Sequence, residues 1–298
     1  MNLGKIKNLT YKYKFFKKLL YPAIAARHFF LHIKLSCQEE IYQNICEILV
    51  EDPVIKVNEF QGIFVLDCRS DLFKRLLITK QYEPELVKYC LQYLNKKRDV
   101  IDIGANIGFY TVLFAKNLDG KKVLAVEPTM NALRRLYKNI KLNYIENNVI
   151  VFEGAASNNS GIAEIKTIDG KEEYSTLAEW KHPSISKEKY ILQKVKVETI
   201  DELVKRYSLD PGLMKIDVEG MEHLVFYGSK MVLETNRPVI LSELSNPLVK
   251  GNGSSSIELI NFIRSYEYDV IDTITPNIPP GINDFTNILC IPKEMRTR

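Results

Sequence analysis

The stretch Asp99-Val-Ile-Asp-Ile-Gly-Ala-Asn-Ile-Gly-Phe-Tyr-Thr111 decides the fold. A short apolar strand meets an acid, Asp102. A turn with glycines at 104 and 108 follows, and a helical pattern begins behind it. The next apolar run, Val123-Leu-Ala-Val-Glu-Pro128, closes on a second acid, Glu127. Strand, glycine turn, helix, strand and acid in this order is how an open α/β sheet grips the adenosine part of a cofactor.

The same alternation continues outward. Strand-like runs are predicted at Val100–Ile103, Val123–Glu127, Val149–Phe152, Leu213–Asp217 and Val239–Glu243. Helical patterns fall between them, near Ile107–Asn117, Met130–Asn143, Ile200–Tyr207 and Met221–Phe226. Near-continuous apolar strands separated by helices imply a parallel sheet covered on both faces. Two further strand-like runs, Ile162–Thr167 and Val195–Thr199, flank a polar segment from Asp169 to Lys189 that carries Trp180; a long insertion beside a sheet edge reads as a substrate lid. A helix, Ser255–Ser265, and strands at Tyr268–Ile271 and Thr286–Ile291 are expected to end the chain. Before the sheet, residues 54–79 read as a small β element, and Pro84 opens a helix running from Glu85 to Leu94. We therefore expect an N-terminal helical extension with a small β element over 1–80 and a domain over 81–298.

Composition narrows the classes. The chain has 298 residues, 46% of them hydrophobic, enough for a sizeable core. A net charge of +4, from 41 basic and 37 acidic residues, is too mild to point to nucleic acid. Five cysteines are widely spaced with no Cys-x-x-Cys pair, which argues against a disulfide framework or a zinc site and fits the cytoplasm. Lysines at 5, 7, 12, 14, 17 and 18, with no acid among the first eighteen residues, interleave with Tyr11, Tyr13, Phe15 and Phe16. This basic segment, read as helical with a break at Pro22, suits peripheral contact with an anionic membrane, or a basic helix packed on the domain or partly disordered. Charges at Lys17, Lys18, Arg27 and Lys34 interrupt its apolar stretch, so neither a signal peptide nor a spanning helix is expected.

From Gly104 the turn reads Gly-Ala-Asn-Ile-Gly, without the middle glycine of Gly-x-Gly-x-x-Gly. That disfavours close approach of a pyrophosphate, and hence a nicotinamide dinucleotide. Asp102 can accept a hydrogen bond or face a cation, and Glu127 lies where a carboxylate takes up ribose hydroxyls.

In these residues the chain resembles the FkbM-type S-adenosylmethionine-dependent methyltransferases, over roughly Tyr82 to Pro292. The marks are Tyr82-Glu-Pro-Glu85, the Asp102–Gly108 turn, Val126-Glu-Pro128, Glu153-Gly-Ala-Ala-Ser157 and Val197-Glu-Thr-Ile-Asp201. Lys215-Ile-Asp-Val-Glu-Gly-Met-Glu222 and Arg237-Pro-Val-Ile-Leu-Ser-Glu243 complete the set. The resemblance implies a Rossmann-like, seven-stranded methyltransferase sheet with its last strand antiparallel. It implies S-adenosylmethionine at the carboxyl edge, with Gly104, Ala105, Asn106 and Gly108 facing the methionine and ribose. Glu127, followed by Pro128, would hold the ribose hydroxyls, and Gly154, Ala155 and Ala156 would flank the adenine. Glu83 or Glu85 would close over the cofactor.

Lys215 and Asp217 alternate onto one strand face, and a buried lysine needs a partner. Glu243 ends the next strand on the same rim in the family's order. We expect a sugar-type hydroxyl to be methylated, with Asp217 or Glu243 taking its proton or orienting it, and Lys215 tuning that carboxylate or holding the incoming oxygen. Asp217-Val-Glu-Gly220 lacks the Asp/Asn-Pro-Pro-aromatic run of nucleobase N-methyltransferases. His223 is either a helper base or a surface or capping histidine. His28 and His32 share a helix face but lack a third ligand. Asp217, Glu219 and Glu243 are magnesium-type donors, though no metal is expected. A catalytically silent binding module and a nicotinamide-dependent oxidoreductase are the competing readings. The expected partner is a small molecule or glycan, not nucleic acid.

Overall fold

The computed structural model describes residues 37–168, 190–281 and 285–295. The basic run with His28 and His32, and the expected lid with Trp180, lie outside the described residues. The chain divides into two compact units, Met1–Glu51 and Asp52–Arg298. In the first, residues 37–48 are helical (α1). No helix of the described residues is long and apolar enough to cross a membrane.

The second unit opens with a hairpin, β1 (Val54–Val57) and β2 (Gly62–Val65), then α2 (Asp71–Thr79) and α3 (Pro84–Tyr93). Strands and helices alternate next: β3 (Asp99–Ile103), α4 (Phe109–Asn117), β4 (Val123–Glu127), α5 (Met130–Leu142) and β5 (Val149–Ala156). An antiparallel pair, β6 (Gly161–Thr167) and β7 (Ile191–Glu198), is followed by α6 (Ile200–Tyr207), β8 (Pro211–Ile216) and α7 (Glu222–Tyr227). The chain closes with β9 (Val239–Ser245), α8 (Asn246–Gly251), α9 (Ser256–Ser265), β10 (Tyr268–Asp272) and β11 (Phe285–Pro292).

The large sheet runs β10-β11-β9-β8-β3-β4-β5-β7-β6. It contains the expected seven strands, from β5 to β10 across β3, with β11 antiparallel to β9. The count is nine rather than seven because the runs flanking the polar segment join the sheet: β7 pairs with the last three residues of β5, Gly154 to Ala156. From β3 the chain steps to β4 and β5 on one side and later returns to β8 and β9 on the other. That reversal leaves a crevice outside the carboxyl ends of β3 and its neighbours.

The strands form because they are largely apolar; β3, β4 and β8 are buried at every position, the charged Asp99, Asp102, Glu127 and Lys215 included. Helix α4 is buried from Phe109 to Ala115, between the sheet and the hairpin. On α6 the Thr199 side chain accepts from the Glu202 amide, with acids in the first turn and bases in the last.

Residues 52–80 differ most from expectation. They belong with the sheet unit, so its boundary lies at 51/52 instead of 80. Only their first part is β structure; 71–79 are helical, started by Ser70, whose side chain accepts from the Phe73 amide. Asn139 of α5 and Asn143, which caps that helix, hold the hairpin. Asn139 accepts from the Val65 amide at 2.7 Å and donates to the Ile107 carbonyl at 2.8 Å. Asn143 accepts from the Ile63 amide at 3.0 Å. Arg135 of the same helix pairs with the buried Asp67 at 2.7 Å.

Candidate active site

The turn after β3 is built by contact between neighbouring strand ends. The amides of Gly104 and Ala105 both donate to the Val126 carbonyl at 3.0 Å, and the Asp217 amide donates to the Ile103 carbonyl at 3.0 Å. Gly104 has φ +76, and a Cβ there would lie 1.8 Å from the Asp217 carbonyl oxygen. This glycine is therefore required by the backbone of the next strand, in addition to any ligand. Gly108 starts α4 with φ +93, where a Cβ would meet the tip of Leu136 at 2.6 Å.

Beyond this turn lies a cleft. Of the residues expected from sequence, Glu83, Gly104, Ala105, Asn106, Glu127, Pro128, Ala155, Ala156, Lys215 and Asp217 line it. Asp102, Gly108, Gly154, Glu243 and His223 do not. Asp102 lies wholly within the sheet, where its Oδ2 accepts from the Thr111 hydroxyl at 2.6 Å. Its Oδ1 is buried without a hydrogen-bond partner among the described residues. Gly154 serves packing, since a Cβ would sit 2.7 Å from the Lys196 carbonyl and 2.6 Å from the Phe152 ring. His223 is buried on α7 with its ring edge-on to Tyr227, and burial depresses its pKa.

Glu127 is buried at the cleft wall. Its Oε1 accepts from the amide and hydroxyl of Thr129 at 2.9 and 2.6 Å, and its Oε2 from the Asn106 amide at 2.8 Å. Burial raises its pKa, against the hydrogen bonds from Thr129 and Asn106. Three bonds leave about one acceptor position of the carboxylate open. Asn106 reaches this contact in the left-handed region, at φ +49.

The second group surrounds Lys215, which is 5% exposed. Its Nζ lies 3.0 Å from Asp217 Oδ2 and 4.8 Å from the centre of the Tyr110 ring. Parallel register sets Lys215 directly beside Asp102 of β3. Burial alone would depress the ammonium's pKa, but Asp217, Asp102 and Glu83 together hold it above the ordinary lysine value. Glu83 accepts from the Tyr110 hydroxyl at 2.8 Å, and its pKa is raised by burial and then by Asp217. Glu243 sits beside Asp217; burial first, then the charges of Asp217, Glu219 and Glu222, push it well above the usual carboxylate range.

Sequence reasoning missed Tyr110 and Ile165 as cleft residues. Tyr110 offered a signal, one of two hydroxyls, with Thr111, in the first turn of a mostly apolar helix. Ile165 offered none, because its place depends on β6 joining the sheet. The aromatic layer behind the cleft was equally hidden: Phe60, from the hairpin connection, stacks on Phe109 at 4.7 Å and meets Tyr110 edge-on at 5.0 Å.

The family model "Methyltransferase FkbM domain" matches residues 102–270. Among solved structures, the chain is similar to an FkbM methyltransferase from Methylobacillus flagellatus KT, with 16% identity and a TM-score of 0.46. That match covers 73% of this chain and 52% of that one, so the chain spans about half the length of that relative. An O-methyltransferase from Bacillus cereus in complex with SAH matches at 13% identity and a TM-score of 0.41, over 84% of this chain and 96% of that one. TYW2 from M. jannaschii, in complex with AdoMet, matches at 16% identity and a TM-score of 0.38, over 80% and 84%. No curated protein matches the chain. The family model spans more than half of the sequence and carries the assignment: this chain belongs to the FkbM methyltransferase domain family.

Proposed function

We propose that the chain is an S-adenosylmethionine-dependent methyltransferase acting on a hydroxyl of a sugar, glycan or related metabolite. The observation that carries this reading is one cleft at the sheet's carboxyl edge that joins the Glu127 carboxylate to the Lys215–Asp217 pair. The cleft's residues fit the cofactor. Glu127 retains acceptor capacity for a ribose hydroxyl, and Ala155, Ala156 and Ile165 offer an apolar wall suited to adenine. Glu83, with its raised pKa and its Tyr110 partner, stands at the same cleft. When bound, S-adenosylmethionine supplies a methyl group on a cationic sulfur, open to in-line displacement.

The chain's own residues then have two tasks, alignment of the acceptor and removal of its proton. Asp217 is the base, because it lines the cleft and Glu243 does not. Glu243 lies against Asp217 and shares the proton taken up. Lys215 orients Asp217 and is fixed in turn by the Tyr110 ring. The acceptor class rests on the lack of a nucleobase-type motif after Asp217 and on the hydroxyl chemistry this base suits.

Calorimetric titration of S-adenosylmethionine and S-adenosylhomocysteine, with NADH alongside, tests the reading. We expect both methyl-cycle ligands to bind, with at least tenfold weaker binding in Glu127→Ala. Asp217→Asn should keep that binding and lose transfer to sugar acceptors by about 10²-fold or more, the scale of a lost general base. Binding of NADH alone would replace the reading with an oxidoreductase, and no binding by folded protein would favour a silent module.

A further inference from the structure

Glu83 lines the cleft with a carboxyl that is only half engaged. Its Oε2 accepts from the Tyr110 hydroxyl at 2.8 Å. Its Oε1 has no hydrogen-bond partner, and the side chain makes no ion pair, among the described residues. Lys215 and Arg75 act on it through charge alone. Lys215 is paired with Asp217 at 3.0 Å, and Arg75 lies 4.9 Å from the centre of the Tyr82 ring. Glu85, two residues on, is exposed and does not line the cleft.

The backbone aims Glu83 there at some cost to local structure. It immediately precedes α3, where a polar side chain commonly accepts from the first free amides of the helix. Glu83 makes no such bond, and its backbone is held in the left-handed region at φ +46, uncommon outside glycine. What fixes the side chain instead is Tyr110, which is 4% exposed. The Tyr110 ring meets Phe60 edge-on at 5.0 Å, lies 6.0 Å from the Phe114 ring and carries the Lys215 ammonium at 4.8 Å. A ring held by these neighbours points its hydroxyl in one direction, and that direction is Glu83.

We propose that Glu83 receives the α-ammonium of the methionine part of S-adenosylmethionine, and that Tyr110 is the positioning residue that presents it. The inference rests on the methyl-donor reading above. The ammonium is the one group of that cofactor that joins a full positive charge to hydrogen-bond donors, and a free carboxylate oxygen is its matching acceptor. The cofactor's own carboxylate suits this wall poorly, because Asp217 stands nearby. Burial, then the charge of Asp217, raises the Glu83 pKa. An ammonium brought against the carboxyl acts in the opposite direction, since a neighbouring cation favours the ionised form. Cofactor binding and ionisation of Glu83 therefore support each other.

The test is calorimetric titration of the full chain and two variants with three ligands. S-adenosylhomocysteine carries both ammonium and carboxylate, decarboxylated S-adenosylmethionine only the ammonium, and 5′-methylthioadenosine neither. We expect Glu83→Gln to weaken binding of the first two by about tenfold or more, the scale of a hydrogen bond to a charged group. Tyr110→Phe keeps the ring over Lys215 but releases Glu83, and should weaken the same two by about three- to fivefold, a neutral hydrogen bond's worth. Both variants should bind 5′-methylthioadenosine as the parent does, which a general loss of structure would not allow. Equal weakening of all three ligands overturns the proposal, because it marks a structural role. So does weakening of S-adenosylhomocysteine alone, which would make the carboxylate the group that is held. Unchanged affinities in both variants overturn this inference while leaving the methyl-donor reading in place; a parent chain that binds none of the three overturns both.

Discussion

Gly104 shows how a single residue couples two strands. Its amide reaches back to β4 through the Val126 carbonyl, while the space a side chain would need is filled by the Asp217 carbonyl of the β8 loop. Gly104→Ala has no low-energy escape: backbone strain at φ +76 adds to a clash with main chain that cannot rotate away. We expect a loss of about 3–5 kcal/mol, at the far end of the range for point substitutions, read as a shift in the urea midpoint. Gly108→Ala meets the flexible end of Leu136 and should cost less, about 1–2 kcal/mol from its left-handed backbone. Equal losses at the two positions would contradict this account. Both glycines were legible in the sequence, and so was Glu127, because a strand, its turn and the acid ending the next strand are local patterns. The neighbours that give Asp102 and Lys215 their character were not legible. Those two residues are more than a hundred positions apart and meet only through parallel register, which periodicity does not encode.

Among the elements, the β1–β2 hairpin is the part sequence reading understated. Val54–Val57 and Gly62–Val65 were recognisable as short β runs, but nothing local says that α5 will receive them. Asn139 and Asn143 look like ordinary polar positions on an amphipathic helix until the hairpin's backbone groups are placed opposite them. The helix at Asp71–Thr79 did carry a readable sign, a serine before an acid with apolar residues at 72, 73 and 76, and the preceding β pattern obscured it. The hairpin's acid dependence follows from Asp67. Burial raises its pKa, but hydrogen bonds from Arg69 and the charges of Arg135 and Arg69 outweigh this, so the net shift is downward. A folded-state pKa below the unfolded one means stability that is present above about pH 4 and lost as pH falls through the folded value. Asp67→Asn should therefore destabilise the protein at pH 7 by about 1–3 kcal/mol, since Arg135 loses its buried partner while retaining its pairing with Asp52. The difference between variant and parent should shrink as pH falls below about 4, a comparison made with urea midpoints between about pH 2 and 8. A constant difference across that range would remove Asp67 as the source.

At the scale of the whole molecule, alternation of apolar strands and helices was enough to reveal a parallel sheet covered on both faces. It was not enough to count its strands or place its first boundary. Both shortfalls concern edges. β6 and β7 carry mixed polar and apolar residues because one side meets solvent, and edge strands are recognised by their partner more than by their composition. The boundary at 51/52 likewise depends on a hairpin that closes onto a distant helix. The separateness of the two units makes the basic N-terminus testable. Deleting residues 1–35 removes six lysines from the first eighteen positions while leaving Asp52–Arg298 entire. We expect the deletion to abolish co-sedimentation with phosphatidylserine vesicles at low salt, where each lysine near such a surface is worth about 1 kcal/mol. Its melting midpoint should stay unchanged. Equal pelleting of both forms would locate any membrane contact elsewhere.

The close approach of Gly104 to the Asp217 carbonyl also sets terms for divergence within the family. The turn after β3 and the loop after β8 share one seam, so neither can gain or lose a residue without reshaping the other. A lineage that changes its acceptor has little freedom in the length or path of that loop. Its freedom lies in the side chains of Val218, Glu219 and Met221, which border the cleft on a backbone that stays put.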